Sequence, residues 1–130
     1  MPHITIQISR TPDSQLTKAL VKSIGVLTHD ILGKKPNVTS IQVKYASPDQ
    51  WFIEGKSLAE WGKTAFHLDI TITDETNTKQ EKARYMAEAY AALSGLLGDV
   101  HTSSFIHIID TRAAAYGYGG LTQEYRLHHS

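Results

Sequence analysis

Pro2 is the residue of this 130-residue chain best suited to do chemistry on its own. Methionine ahead of a small second residue is normally removed, and loss of Met1 would leave Pro2 as a free secondary amine directly in front of a strand. An α-amino group titrates near about pH 8 in water. Burial or nearby cations disfavour its charged form and lower that value. A neutral amine near pH 7 is a general base for protons next to a carbonyl. The competing reading is a plain strand start, where proline is tolerated. Other chemistries lack their residues. There is no Gly-rich phosphate loop, nucleophile elbow or His-Glu-x-x-His pair. The chain has no cysteine, which excludes disulfides and thiolate sites. Its seven histidines are scattered. His29 lies beside an apolar helical stripe and reads as packed or solvated, and His128-His129 is weak support for a metal. No metal or cofactor is expected.

The elements that must hold Pro2 form a repeat. His3-Ile4-Thr5-Ile6-Gln7-Ile8 alternates polar and apolar residues, as a half-buried strand does. Thr11-Pro12-Asp13-Ser14 carries helix-start chemistry, with Asp13 or Ser14 as N-cap. Leu16, Leu20, Ile24, Leu27 and Ile31 then form an apolar stripe. Gly33 suits the C-cap, with Pro36 soon after. A second strand follows at Ser40–Tyr45. The pattern restarts with a strand over 65–72, a cap at Thr78 and a helix from about Lys79 to Leu97. That helix has Ala83, Met86, Tyr90, Leu93 and Leu97 as its stripe and Gly98 at its end. Phe105 to Ile109 reads as the fourth strand. The halves align at an offset of about 64, placing His3 on His67, Phe52 on Tyr116 and Gly55 on Gly119. The spacing predicts an α+β fold: one domain over 1–130 made of two βαβ units, about 2–62 and 63–121. Together they form a four-stranded sheet with both helices on one face. The uncovered face, with Ile4, Ile6 and Ile8 or their partners left bare, would be an association surface, so a homo-oligomer is expected. Trp51 and Trp61, in the connecting segment, would either anchor a hairpin against the next subunit or wall an active site. The tail from Leu127 to Ser130 reads as a frayed end.

Composition narrows the setting. Hydrophobic residues make up 41% and charged residues 20%, as in an ordinary globular domain. Basic and acidic residues both number 13, so the net charge is zero. That argues against nucleic acid or a membrane surface as the main partner. With no long apolar span and no leader pattern, a soluble, cytoplasmic protein is expected.

The chain resembles the tautomerase superfamily, whose type member is 4-oxalocrotonate tautomerase, over roughly residues 2 to 121. Met1-Pro2-His3-Ile4-Thr5-Ile6 is similar to that family's opening strand, and Arg10-Thr11-Pro12-Asp13-Ser14-Gln15 to the segment that opens its helix. Asn37-Val38-Thr39-Ser40-Ile41-Gln42-Val43 is like its next strand, and Ala115-Tyr116-Gly117-Tyr118-Gly119-Gly120 like its aromatic-glycine hairpin. The resemblance implies a long, fused member that assembles as a homotrimer. It implies Pro2 as catalytic base, Arg10 as a carboxylate-binding arginine, and Phe52 and Tyr116 as the aromatic wall. The family's second arginine falls at Gln42 and is missing. Long relatives that dehalogenate or decarboxylate carry two arginines after the third strand, where this chain reads Thr73-Asp74-Glu75-Thr76-Asn77-Thr78. The water-activating glutamate of the dehalogenases falls at Ala115. By the same comparison Arg112 is the candidate to hold a carboxylate bidentately, unless it is a solvated loop residue paired to Asp110 or Asp74. His107 is a candidate donor to an enolate oxygen. The implied activity is keto–enol proton transfer on a small 2-oxo or 2-hydroxydienoate acid, without a cofactor. The alternatives are a decarboxylase or hydratase of small unsaturated or 3-oxo acids, or a non-catalytic trimeric binding protein.

Overall fold

The computed structural model describes residues 2–129. Strand β1 (His3–Ile8) leads into helix α1 (Ser14–Leu32) and returns through a 3-10 turn at Pro36–Val38 to strand β2 (Ser40–Tyr45). A short hairpin, β3 (Phe52–Ile53) with β4 (Lys56–Ser57), and a one-turn helix α2 (Leu58–Trp61) close the first unit. The second unit repeats the order: β5 (Phe66–Thr73), α3 (Lys79–Leu97), β6 (Phe105–Thr111), hairpin β7 (Gly117–Tyr118) with β8 (Leu121–Thr122), and α4 (Gln123–His128). The repeat thus runs past residue 121, and Leu127 and His128 belong to α4 rather than to a frayed tail. Ser130 lies outside the described residues.

The main sheet has the order β2-β1-β5-β6, parallel within each unit and antiparallel where β1 meets β5. That antiparallel join relates the units by a pseudo-twofold axis, so opposite ends of the sheet are structural counterparts. Local chemistry sets the helix ends as the sequence predicts. The Asp13 carboxylate accepts from the backbone N–H of Gln15 and Leu16, Gly33 caps α1 in the left-handed conformation, and Thr78 with Glu81 forms a capping box on α3.

Two packing expectations change. First, Ile4, Ile6 and Ile8 are all covered, sharing one core with Leu68, Ile70 and Ile72 beneath both helices. The uncovered face carries the alternate residues, among them Thr5, Gln7, Gln42, Lys44 and Asp69, so it is largely polar. Period-2 alternation puts every isoleucine of β1 on the helix side. Second, α3 buries Tyr85, Ala89, Leu93 and Leu97, while Ala83 and Met86 face outward. A stripe at strict four-residue spacing, led by Tyr85, rotates the helix relative to the predicted one.

Candidate functional site

Pro2 is buried at the start of the central strand β1. Its carbonyl accepts from the Ser40 N–H at 3.2 Å, and the register sets it between Thr39 of the β2 side and Ile72 of β5. In a parallel βαβ unit the helix C-terminus and the second strand's start return to the end where the first strand began. The segment after α1 therefore lies beside Pro2. Met1, whose removal would free the amine, lies outside the described residues.

At this end of the sheet is a cavity of about 610 Å³, walled by Lys34, Val38, Thr73, Thr76, Tyr118 and Arg126. Val38 and Thr73 adjoin Pro2's cross-strand neighbours in sequence. Lys34 donates to the Thr76 hydroxyl at 2.9 Å. Burial holds its ammonium below the usual lysine range, partly offset by the negative charges of Glu81 and Asp110. The Tyr116 and Thr73 hydroxyls share a hydrogen bond of 2.5 Å, and burial raises the Tyr116 phenol above its usual range.

The residues singled out in the sequence separate into three groups. Pro2, Tyr116 and Arg112 share one end. Arg112 follows Thr111, the β6 partner of Thr73, and is exposed. Asp110, one of its expected partners, pairs instead with Lys82 at 2.6 Å. Arg10 and Phe52 lie at the other end, six strand residues or about 20 Å from Pro2 in the same protomer. Arg10 donates to Thr64 Oγ1 at 3.1 Å and to the Leu97 carbonyl, and Phe52 is exposed in its hairpin. The pseudo-twofold counterpart of Arg10 beside Pro2 is Asp74, so the helix-start arginine of one unit becomes an acid in the other. His107 is exposed in the middle of β6 on the uncovered face, 3.9 Å from Asp69, on the side of the sheet opposite Pro2. The tryptophans also lie away from Pro2. Trp51 packs on His67, with centroids 4.6 Å apart, and Trp61 packs on His101.

The hairpin register also differs from the predicted one. One extra residue between β5 and α3 moves the offset from 64 to 65. Trp51 then matches Tyr116, Phe52 matches Gly117, and Gly55 matches Gly120. The backbone bonds agree: Leu58 N–H donates to the Trp51 carbonyl, and Gln123 N–H donates to that of Tyr116.

Sequence reasoning missed Lys34 and Arg126. The first was findable, since the βαβ topology alone sends residues just past Gly33 to Pro2's end. Arg126 required knowing that α4 exists.

No family model and no curated protein matches this chain. Solved structures do. A structure of Pt0534 inactivated by 2-oxo-3-pentynoate superposes with a TM-score of 0.83 at 12% identity, covering 95% of this chain and 98% of that one. Native fused 4-OT gives 0.79 at 15% identity over 95% and 97%. Leishmania major MIF2 gives 0.76 at 16% identity over 94% and 97%. The chain shares the fold of these structures and carries it as two βαβ units in one chain.

Proposed function

We propose that this protein is a tautomerase-type isomerase that moves a proton within a small 2-oxo or 2-hydroxydienoate acid, with Pro2 as the base once Met1 is removed. The observation that carries this reading is the position of Pro2, buried at the start of an inner strand, at the end of the sheet where a cavity presents cations. The neutral amine takes a proton from the enol oxygen or from the carbon beside the carbonyl. The resulting ammonium returns it at another carbon of the conjugated system, so the product is an isomer of the substrate. Lys34 supplies a cation for the carboxylate, and Arg112, exposed at the same end of the sheet, is the candidate for a second. Positive charge nearby also disfavours protonation of Pro2.

Arg10 and Phe52 can serve a Pro2 cavity only from a neighbouring copy. Fused 4-OT forms symmetric and asymmetric trimers, and we extend a homotrimer to this chain.

The test is an ultraviolet assay with phenylenolpyruvate and 2-hydroxymuconate on wild type and Pro2→Ala. The variant is expected to lose about 10²–10⁴-fold in rate; equal rates would overturn the mechanism. Mass spectrometry of the mature N-terminus must show Met1 absent. Because 2-oxo-3-pentynoate inactivates a protein of the same fold, it is the label of choice, and its adduct is expected on Pro2.

A further inference from the structure

The two hairpin modules solve one backbone problem with different side chains. In the first unit Trp61 Nε1–H donates to the Ile53 carbonyl at 3.0 Å. In the second the residue at the same place is Arg126, which donates to the Tyr118 carbonyl at 2.9 Å and lies over the Tyr118 ring, 3.8 Å from its centroid. A neutral indole meets the requirement at one end of the molecule, so the hairpin itself does not need a charge there. The guanidinium adds one, with further N–H donors in a planar fork. Its Nε and the nearby Gln123 Oε1 are buried without a hydrogen-bond partner among the described residues. An unpaired buried polar atom is costly. Both residues wall the cavity that Lys34 shares.

The hairpin makes room for this arginine. A Cβ on Gly119 would come within 2.8 Å of the Arg126 guanidinium. The counterpart of Gly119 in the first hairpin is Glu54, which has a side chain at the same positive φ. The backbone conformation therefore does not demand glycine at this place, whereas a side chain there would have to displace the Arg126 guanidinium from its position.

We propose that Arg126, held by Tyr118 and admitted by Gly119, is a carboxylate-anchoring residue for organic acids in the Pro2-end cavity, which makes α4 a specificity element. This rests on the reading of that cavity as the substrate site, but binding can be measured without turnover. Fumarate and cinnamate, titrated calorimetrically, are the probes. Arg126→Trp installs the solution of the first unit, keeping a donor for the Tyr118 carbonyl while removing the charge. Arg126→Gln is a second neutral variant, and Arg126→Lys restores charge without the fork. Both neutral variants are expected to fold by circular dichroism and to bind the acids about tenfold more weakly or worse, with Arg126→Lys between them and wild type. Wild-type affinity in either folded neutral variant would overturn the proposal, as would a wild-type protein that binds neither acid at millimolar concentration. Pro2→Ala is expected to keep the affinity. If Pro2→Ala instead keeps full activity while Arg126→Trp loses binding, the catalytic reading falls and the anchor stands.

Discussion

Tyr85 is fully buried, and its hydroxyl lies 2.9 Å from that of Thr28, which itself donates to the Ile24 carbonyl at 2.7 Å. Tyr85 thus donates to Thr28 and ties α3 to α1. Burial pushes its phenol up to about 12. The unfolded chain gives up this proton near pH 10 and the folded chain near 12, so the folded state binds more protons in between. Stability should therefore be unaffected below pH 10 and fall by roughly 2–3 kcal/mol as the pH rises toward 12. Tyr85→Phe should cost about 1 kcal/mol at neutral pH and flatten that alkaline slope. Urea unfolding at pH 8 and pH 11.5 checks both. At this scale the sequence was informative where a residue's role is local. Pro2 is notable for its place at the start of a strand, and Tyr116 for its hairpin. Arg10 could not be placed, because nothing local states that β1 and β5 run antiparallel and send it to the far end.

Elements were legible where capping and period agree. Asp13, Gly33 and Thr78 all do what their types predict. Asp13→Ala removes the acceptor of two N–H groups and should lower stability by about 1 kcal/mol, seen as a lower melting temperature. The buried face of α3 was misread because Met86 and Ala83 are apolar yet exposed, while Tyr85 is polar-tipped yet enclosed. The hairpin match slipped by one because an extra residue in the turn before α3 leaves no periodic trace. Gly117 marks the true register. A Cβ there would overlap the Leu121 carbonyl oxygen, whereas its counterpart Phe52 has open space. Gly117→Ala should therefore disrupt the second hairpin and weaken acid binding, while Phe52→Ala leaves protomer folding unchanged. Calorimetry and circular dichroism on the two variants check this.

For the whole molecule, the repeat in the sequence was enough to reach two βαβ units and one sheet, and the superpositions agree. The side-chain character of the open face was not, since it depends on which parity of β1 the helices cover. No helix among the described residues is long and apolar enough to cross a membrane. On the trimer reading, sedimentation equilibrium should give three times the 14.4 kDa chain mass, and a monomer would separate Arg10 and Phe52 from every Pro2 cavity. The pseudo-twofold axis has one more consequence. It maps Pro2 onto Phe66, whose nitrogen is an ordinary amide donating to Ser104 at 3.1 Å. With Met1 removed, the matched pair of sheet ends would carry a single amine, so an inactivator should titrate at one equivalent per chain, three per trimer, and not six.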